Sequence, residues 1–424
     1  MMVFICAWVP VVLGCVPLAV RFRSIKARSL WALFSVTATS LLLGALALWG
    51  SMEETAEVFR LSESFRFVLR LDGTGKVYLG VAAVLWPLAM LYAGEYMDHE
   101  KREGHFFTWY TAAYTPAILL GTANNLFTLY MAYEWLTLCT VPLVWHARDA
   151  ASERAAVLPL SRWLPTASVA PTPVTALLHA VAVVNAGVFA VARLLYNALS
   201  PDMLRGTWVQ AAMMSLAALT VVYAAAAAVR EKHIKRRMAW STVSNLSYML
   251  FGLSLLTAHG LVAGLAHMVF HSAMKIVLFL CAGGIIIYSG RYSVRQMHGL
   301  GRRMPLLFGC FTLAGVSLLG VPPLPGFVSK YELVTAAFEE GSPLALAGAG
   351  ALLLAAVLTA VYVFTIVYPA FFMAEDSRLQ EQDVTKPGPR MTASLAVLCL
   401  LLLVLGAAAG TVVKQLYGLT GGIG

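Results

Sequence analysis

The sequence predicts an all-α polytopic membrane protein with about twelve transmembrane helices. Three observations lead there. Of its 424 residues, 60% are hydrophobic and only 12% charged, and the mean hydropathy is +0.77; a soluble domain carries ~25% charged residues. Apolar runs long enough to cross a bilayer, which takes ~20 residues, recur from one end of the chain to the other. The basic residues collect in short clusters between those runs, where membrane proteins use them to fix orientation, so the formal charge of +9 is not a nucleic-acid signal.

Taken in order, the first expected helices are Val3–Val20 and Leu30–Gly50, joined by the basic loop Arg21–Arg28. No small-residue cleavage site follows the first run, so it reads as a retained helix. Ser51–Lys76 is a mixed-charge extramembrane stretch. Val77–Met97 ends in the charged loop Asp98–Glu103, and helices at His105–Thr122 and Asn125–Trp145 follow closely. A polar segment, His146–Arg154, leads into the proline-punctuated Leu158–Pro165. The next expected spans are Val174–Leu199, Trp208–Val229, Met238–Thr257 and Leu261–Ser289. A helix from Pro305 is broken at Val321–Gly326 and resumes to Phe338; Leu344–Phe372 and Thr392–Val413 close the chain. The Lys and Arg count puts the loops 21–29, 98–104, 146–173, 230–237, 290–304 and 374–390 in the cytoplasm. The 51–76 and 200–207 segments and Glu339–Glu340 fall on the other side.

Cofactor chemistry finds no foothold in this pattern. The six cysteines, Cys6, Cys15, Cys139, Cys281, Cys310 and Cys399, lie in or beside apolar segments and form no CxxC, so neither iron–sulfur nor zinc ligation is expected. No GxGxxG or P-loop pattern supports nucleotide binding. No bound cofactor, no metal and no nucleic-acid partner are expected.

The informative residues are the polar ones inside apolar runs. Leu261–Ser289 contains His267, His271 and Lys275 four residues apart, which stacks them on one helix face. A lysine near the middle of a span costs ~2.5 kcal/mol or more, so it is normally paired or set beside water. Such a lysine is either a structural residue satisfied by a neighbouring helix or part of a proton relay. Histidine and desolvated lysine are the basic side chains whose protonation can be brought near neutrality. Glu134, in LFTLYMAYEWLTLCTVPLV, is either a glutamate that holds two helices together or one half of a buried Glu/Lys pair. His179 alone can simply bond a neighbouring backbone. Lys330 follows VPPLPGFVS, where proline and glycine open the backbone ladder. A break at membrane depth is tolerated only inside protein or beside a wet cavity, and an ionisable residue there is a transporter arrangement; an interfacial, snorkelling lysine is the alternative.

These passages together resemble a known family. LPLSRWLPTASVAPTPVTALLHAVAVVNAGVFAVAR resembles a block of the antiporter-like subunits of respiratory complex I (NADH-quinone oxidoreductase), which are related to Mrp antiporter and membrane-bound hydrogenase subunits. NNLFTLYMAYEWLTLC is similar to the family's glutamate helix, and HIKRRMAWSTVSNLSYMLFGL to its DIKRxLAYSTxSQxGY block. AHMVFHSAMKIVLFLCAGGII is similar to its HxxxHxxxKxxLF helix, LLGVPPLPGFVSKYEL to its broken helix, and Leu71-Asp-Gly73 to its early motif. The likeness is greatest to the complex I large subunit that carries lysine after the second broken helix. It implies two inverted repeats, each with one broken helix. The implied segments are N-terminal helices 1–104, a first repeat 105–229, a second repeat 230–372 and a C-terminal segment 373–424. It further implies a proton relay made of Lys275, His271, His267, Lys330, Glu134 and His179, driven by redox chemistry in other subunits of an inner, cytoplasmic membrane complex.

The chain departs from the family pattern between Glu134 and Arg154, where the family has a further helix and half of a broken one bearing a lysine. A hairpin is therefore expected to be missing, a loss that preserves the orientation of everything downstream. Arg154 stands in the lysine's place in Glu153-Arg-Ala-Ala-Val-Leu-Pro159, and Asn185 stands where some relatives carry a lysine. Arginine keeps its proton, with a pKa above ~12, so the first repeat is expected to lack a working relay while the second is complete. A monovalent cation/proton antiporter subunit and a non-conducting structural subunit are the other readings of the same residues.

Overall fold

In the computed structural model, residues 2–20, 22, 24–49, 55–63, 65–100, 103–145, 170–375 and 384–420 are described. Arg154 and the Leu158–Pro165 passage lie outside them. The described residues up to Ala198 form one compact unit and those from Leu199 onward a second.

The first unit contains α1 (Met2–Ala19), α2 (Ile25–Trp49), α3 (Gly73–Tyr96), α4 (Glu103–Ala112), α5 (Tyr114–Gly121), α6 (Leu126–Trp145), α7 (Thr172–Ala180) and α8 (Val183–Arg193), the last continued by a π-helical turn, Leu194–Ala198. The 51–76 stretch is more ordered than a charged loop: Thr55–Arg60 (β1) and Arg66–Arg70 (β2) pair antiparallel as a hairpin, with an irregularity at Glu57/Phe59. Phe59 and Phe67 stack across the pair at 5.2 Å, the kind of cross-strand contact that stabilises a two-stranded ribbon. Asp72 then starts α3, its Oδ1 accepting from Gly75 N at 2.7 Å, as an N-cap carboxylate does.

Two expected single helices of this unit are broken. The 105–122 segment divides into α4 and α5 at Ala113. Pro116 has no N–H to give to the carbonyl four residues back, which opens the ladder there. The 174–199 segment divides into α7 and α8 at Val181–Ala182, where no proline or glycine stands. Side chains hold that break open instead: Asn185 Nδ2 donates to Ala180 O at 2.8 Å, and Tyr78 OH to Ala182 O at 3.5 Å.

The second unit contains α9 (Trp208–Arg230), α10 (Ile234–Ser254), α11 (Ala258–Ser289), α12 (Pro305–Leu319), α13 (Pro325–Glu340), α14 (Pro343–Phe372), α15 (Pro389–Ala407) and α16 (Ala409–Thr420), with one-turn helices at Pro201–Leu204 and Leu300–Arg303. The last expected helix, 392–413, is thus two, parted at Ala408. α11 is the centre of this unit. It packs on α10, α12, α13, α15 and α16, and nearly all of its residues are buried, whereas most of those of α15 are not. α10 begins four residues before the expected Met238 because His233 caps it, its Nδ1 accepting from Lys235 N at 3.2 Å.

Among the described residues, eight helices are long and apolar enough to cross a membrane, and Cys6–Pro17 and Pro305–Leu319 are shorter apolar helices. α10, expected as a span, is too polar to be one of the eight; Ser241, Thr242, Ser244, Asn245 and Ser247 are all buried on it. The apolar residues left exposed, among them Leu41, Leu219, Leu353, Phe372 and Leu400, form the kind of surface that hydrocarbon covers. The chain is a multi-pass, predominantly α-helical membrane protein.

Candidate functional site

The site is built on α11. His267, His271 and Lys275 are each fully buried. The two imidazoles stack with centroids 5.9 Å apart at 27°, so the four-residue spacing does place them on one stripe. At the inner end, Lys275 Nζ donates to Met238 O at 3.0 Å and to the Ser241 hydroxyl. At the other end, His267 Nε2 lies 3.2 Å from Asn245 Oδ1 and its Nδ1 lies 2.9 Å from Ser329 Oγ. Tyr248 stacks on the His267 ring at 5.3 Å and is anchored through its OH to Leu352 O at 2.5 Å. Asn245 is itself held by its Nδ2 to Ser241 O at 2.7 Å. Ser241, Asn245 and Tyr248 fall at i, i+4 and i+7, one face of α10, turned toward the α11 stripe. Close approach makes these contacts reachable: a Cβ at Gly260 would lie 2.5 Å from Gly252 O.

Lys330 closes the array on α13. The chain breaks between α12 and α13, with Gly320 at φ +98. The last carbonyls of α12 lack intrahelical donors, as at every helix C-terminus. Lys330 Nζ supplies them, donating to Leu318 O at 2.7 Å and Leu319 O at 3.0 Å. A cation at this end also complements the helix dipole. Its ammonium stands 5.1 Å from the Tyr248 ring centroid, so Lys330 shares Tyr248 with His267. The side chain is half-buried and turned into the protein, not snorkelling outward. Gly326 allows the two half-helices to meet, since a Cβ there would fall 1.8 Å from Ser317 O.

The first unit is arranged differently. His179 is fully buried near the C-terminus of α7, just before the break, and Asn185 is buried just after it. Glu134, expected either to hold two helices together or to form half of a buried pair, is exposed on α6 in a row with Tyr130, Leu138 and Val141. Nothing among the described residues covers that row. An apolar run reads the same whether its far side meets protein or lipid, which is why the sequence suggested burial. The polar centre that sequence reading missed is Asp72–Arg193: Arg193 Nη2 reaches Asp72 Oδ1 at 2.9 Å, and the guanidinium lies 4.9 Å over the Phe189 ring. Ser241, Asn245, Tyr248 and Ser329 were also missed as site residues, although the four- and three-residue spacing of the first three is a readable signal.

A buried histidine–lysine stripe beside a broken helix defines a class: the membrane subunits of antiporter-like fold. Two solved structures share the architecture. A chain of the archaeal membrane-bound sulfane sulfur reductase superposes with a TM-score of 0.84 at 20% identity, covering 98% of this chain and 77% of that one. A chain of the Mrp complex from Dietzia sp. superposes with a TM-score of 0.76 at 21% identity, covering 100% and 52%. Residues 148–359, half of the chain, match the model of the NADH:quinone oxidoreductase/Mrp antiporter transmembrane family, and the protein belongs to that family. NADH-quinone oxidoreductase subunit L of Pseudomonas aeruginosa is 29% identical over 417 residues, 80% of this chain and 64% of that protein. F(420)H(2) dehydrogenase subunit L of Methanosarcina mazei is 34% identical over 265 residues, 59% of this chain and 37% of that one. The chain thus spans less than two thirds of the length of these curated relatives.

Proposed function

We propose that this chain is a proton-translocating membrane subunit of a complex I-like NADH:quinone oxidoreductase in the inner (cytoplasmic) membrane, coupled to redox chemistry in other subunits. The observation that carries the reading is the buried Lys275–His271–His267 stripe, fixed at both ends by α10, met at its outer end by Ser329 and joined there to Lys330 through the Tyr248 ring. Lysine and histidine both release and regain protons. His271 bridges the interval between Lys275 and His267, Ser241 and Asn245 hold the two ends in place, and Lys330 is the outlet. His179 and Glu134 are the corresponding groups of the first repeat, and Arg154, which cannot release its proton, leaves that repeat without a relay. The chain binds no redox cofactor of its own.

The names of the relatives and the structural neighbours support other membrane subunits as partners. A second reading, a monovalent cation/proton antiporter subunit, is favoured by the family description, which names both activities. The test is proton uptake by membrane vesicles containing the assembled complex. Lys275→Ala is expected to abolish this subunit's share of NADH-driven uptake; unchanged uptake sinks the reading, and a Lys275-dependent sodium requirement moves it to the antiporter.

A further inference from the structure

The four-residue register of α11 does not begin at His267. Counting back from Lys275 through His271 and His267, the same step reaches Ala263 and then His259, in the first turn of the helix. His259 is engaged at both ring nitrogens: Nε2 lies 2.9 Å from Glu332 Oε2 and Nδ1 lies 2.6 Å from Glu339 Oε2. Both carboxylates belong to α13, the helix that supplies Ser329 and Lys330. Ser329, Glu332 and Glu339 fall at i, i+3 and i+10, close to one face. His259 and Glu332 are mostly buried, with side-chain exposures of 15% and 19%, whereas Glu339 is 64% exposed. The Tyr417 ring of α16 flanks His259 at 6.1 Å.

We propose that Glu332, His259 and Glu339 form the proton port of this subunit, joining the buried stripe to water at the N-terminal end of α11. A proton leaving the Ser329–Lys330 end is taken by the Glu332 carboxylate and passed to His259 Nε2. The resulting imidazolium releases the proton on Nδ1 to the Glu339 carboxylate, which gives it to bulk water. Rotation of the ring then turns the unprotonated nitrogen toward Glu332 and the protonated one toward Glu339, ready for the next proton. Each transfer from Glu332 outward moves one proton between named groups and needs no other reactant, while the step into Glu332 is carried by water. Ala263 is the one position of the register without a polar group. It is buried in an apolar cluster with Tyr248, Phe251 and Leu333, so port and stripe are parted by about two helical turns, ~12 Å, that water must cross. That dry step is where a gate would act.

The proposal rests on the proton-translocating reading, and the experiment separates the two. Vesicles carrying the assembled complex are compared for NADH-driven proton uptake with the parent chain, Lys275→Ala, His259→Gln and His259→Ala. Glutamine keeps a hydrogen-bonding side chain but exchanges no proton, so His259→Gln is expected to lose the Lys275-dependent share of uptake with the complex still assembled. His259→Ala is expected to lose the same share and to regain it with added imidazole, a recovery that a merely structural histidine does not give. Parental uptake in His259→Gln while Lys275→Ala is defective overturns the port and leaves the function standing, as does loss in His259→Ala that imidazole does not restore. Parental uptake in Lys275→Ala overturns both.

Discussion

Lys275 shows what a single residue needs in order to stand inside a membrane protein. Its ammonium group meets a backbone carbonyl and a hydroxyl, the acceptors that make such burial tolerable. His267 is held just as closely, with one partner on each ring nitrogen. Asn245→Leu is therefore expected to leave His267 Nε2 without its partner, a loss of ~1–3 kcal/mol for a buried polar group. Thermal unfolding of the detergent-solubilised protein should register the loss, with proton uptake falling alongside. Outside the membrane, His233 offers a test in pH. Burial, then the nearby charges of Lys235 and Arg236, pull its pKa from 6.5 to about 4. The neutral ring caps α10. The unfolded state takes up this proton first as pH falls, so the stabilisation is complete above about pH 6.5 and is lost progressively toward pH 4. His233→Asn, which can cap without titrating, should flatten the stability profile over that window. An unchanged slope would show that the cap is not its origin.

Among the elements, the α12–α13 break and the start of α3 decide where functional side chains stand. Gly326 sits where α13 meets the backbone of α12, and its Cβ would overlap Ser317 O. Gly326→Ala is expected to force the half-helices apart, displacing Ser329 and Lys330 and losing several kcal/mol, roughly 1–3 or more for overpacking. Reduced thermal stability together with reduced uptake checks it, and parental behaviour in both would contradict the geometry. At α3, Asp72 both caps the helix and pairs with Arg193. Asp72→Asn keeps the cap and Asp72→Ala removes it. The alanine variant should be the less stable by about 1 kcal/mol, the usual contribution of an N-cap, measurable by comparing their denaturation midpoints.

For the molecule as a whole, the distribution of basic loops makes a claim about sidedness. Asp202 and Arg295 are both exposed and lie in loops assigned to opposite sides of the membrane. In a chain with its native cysteines replaced, Asp202→Cys should react with an impermeant thiol reagent only from outside and Arg295→Cys only from the cytoplasmic face. Labelling of both from one side would refute the topology.

The sequence by itself determined the solvent, the helical class and the stripe. Apolar runs of bilayer length and an i, i+4, i+8 spacing of His267, His271 and Lys275 are local patterns, fixed by helix geometry alone. The proline-marked break before Lys330 was readable for the same reason. Tertiary structure decided what those residues touch. The α7–α8 break carries no proline or glycine and exists because Asn185 and Tyr78 take up its carbonyls. Glu134 reads as buried in an apolar run but is exposed, because a run of hydrophobic residues does not say which side meets protein. Glu332 and Glu339 join His259 across more than seventy residues, and Lys330 turns back to cap α12. Those pairings depend on how helices cross, which no local pattern records.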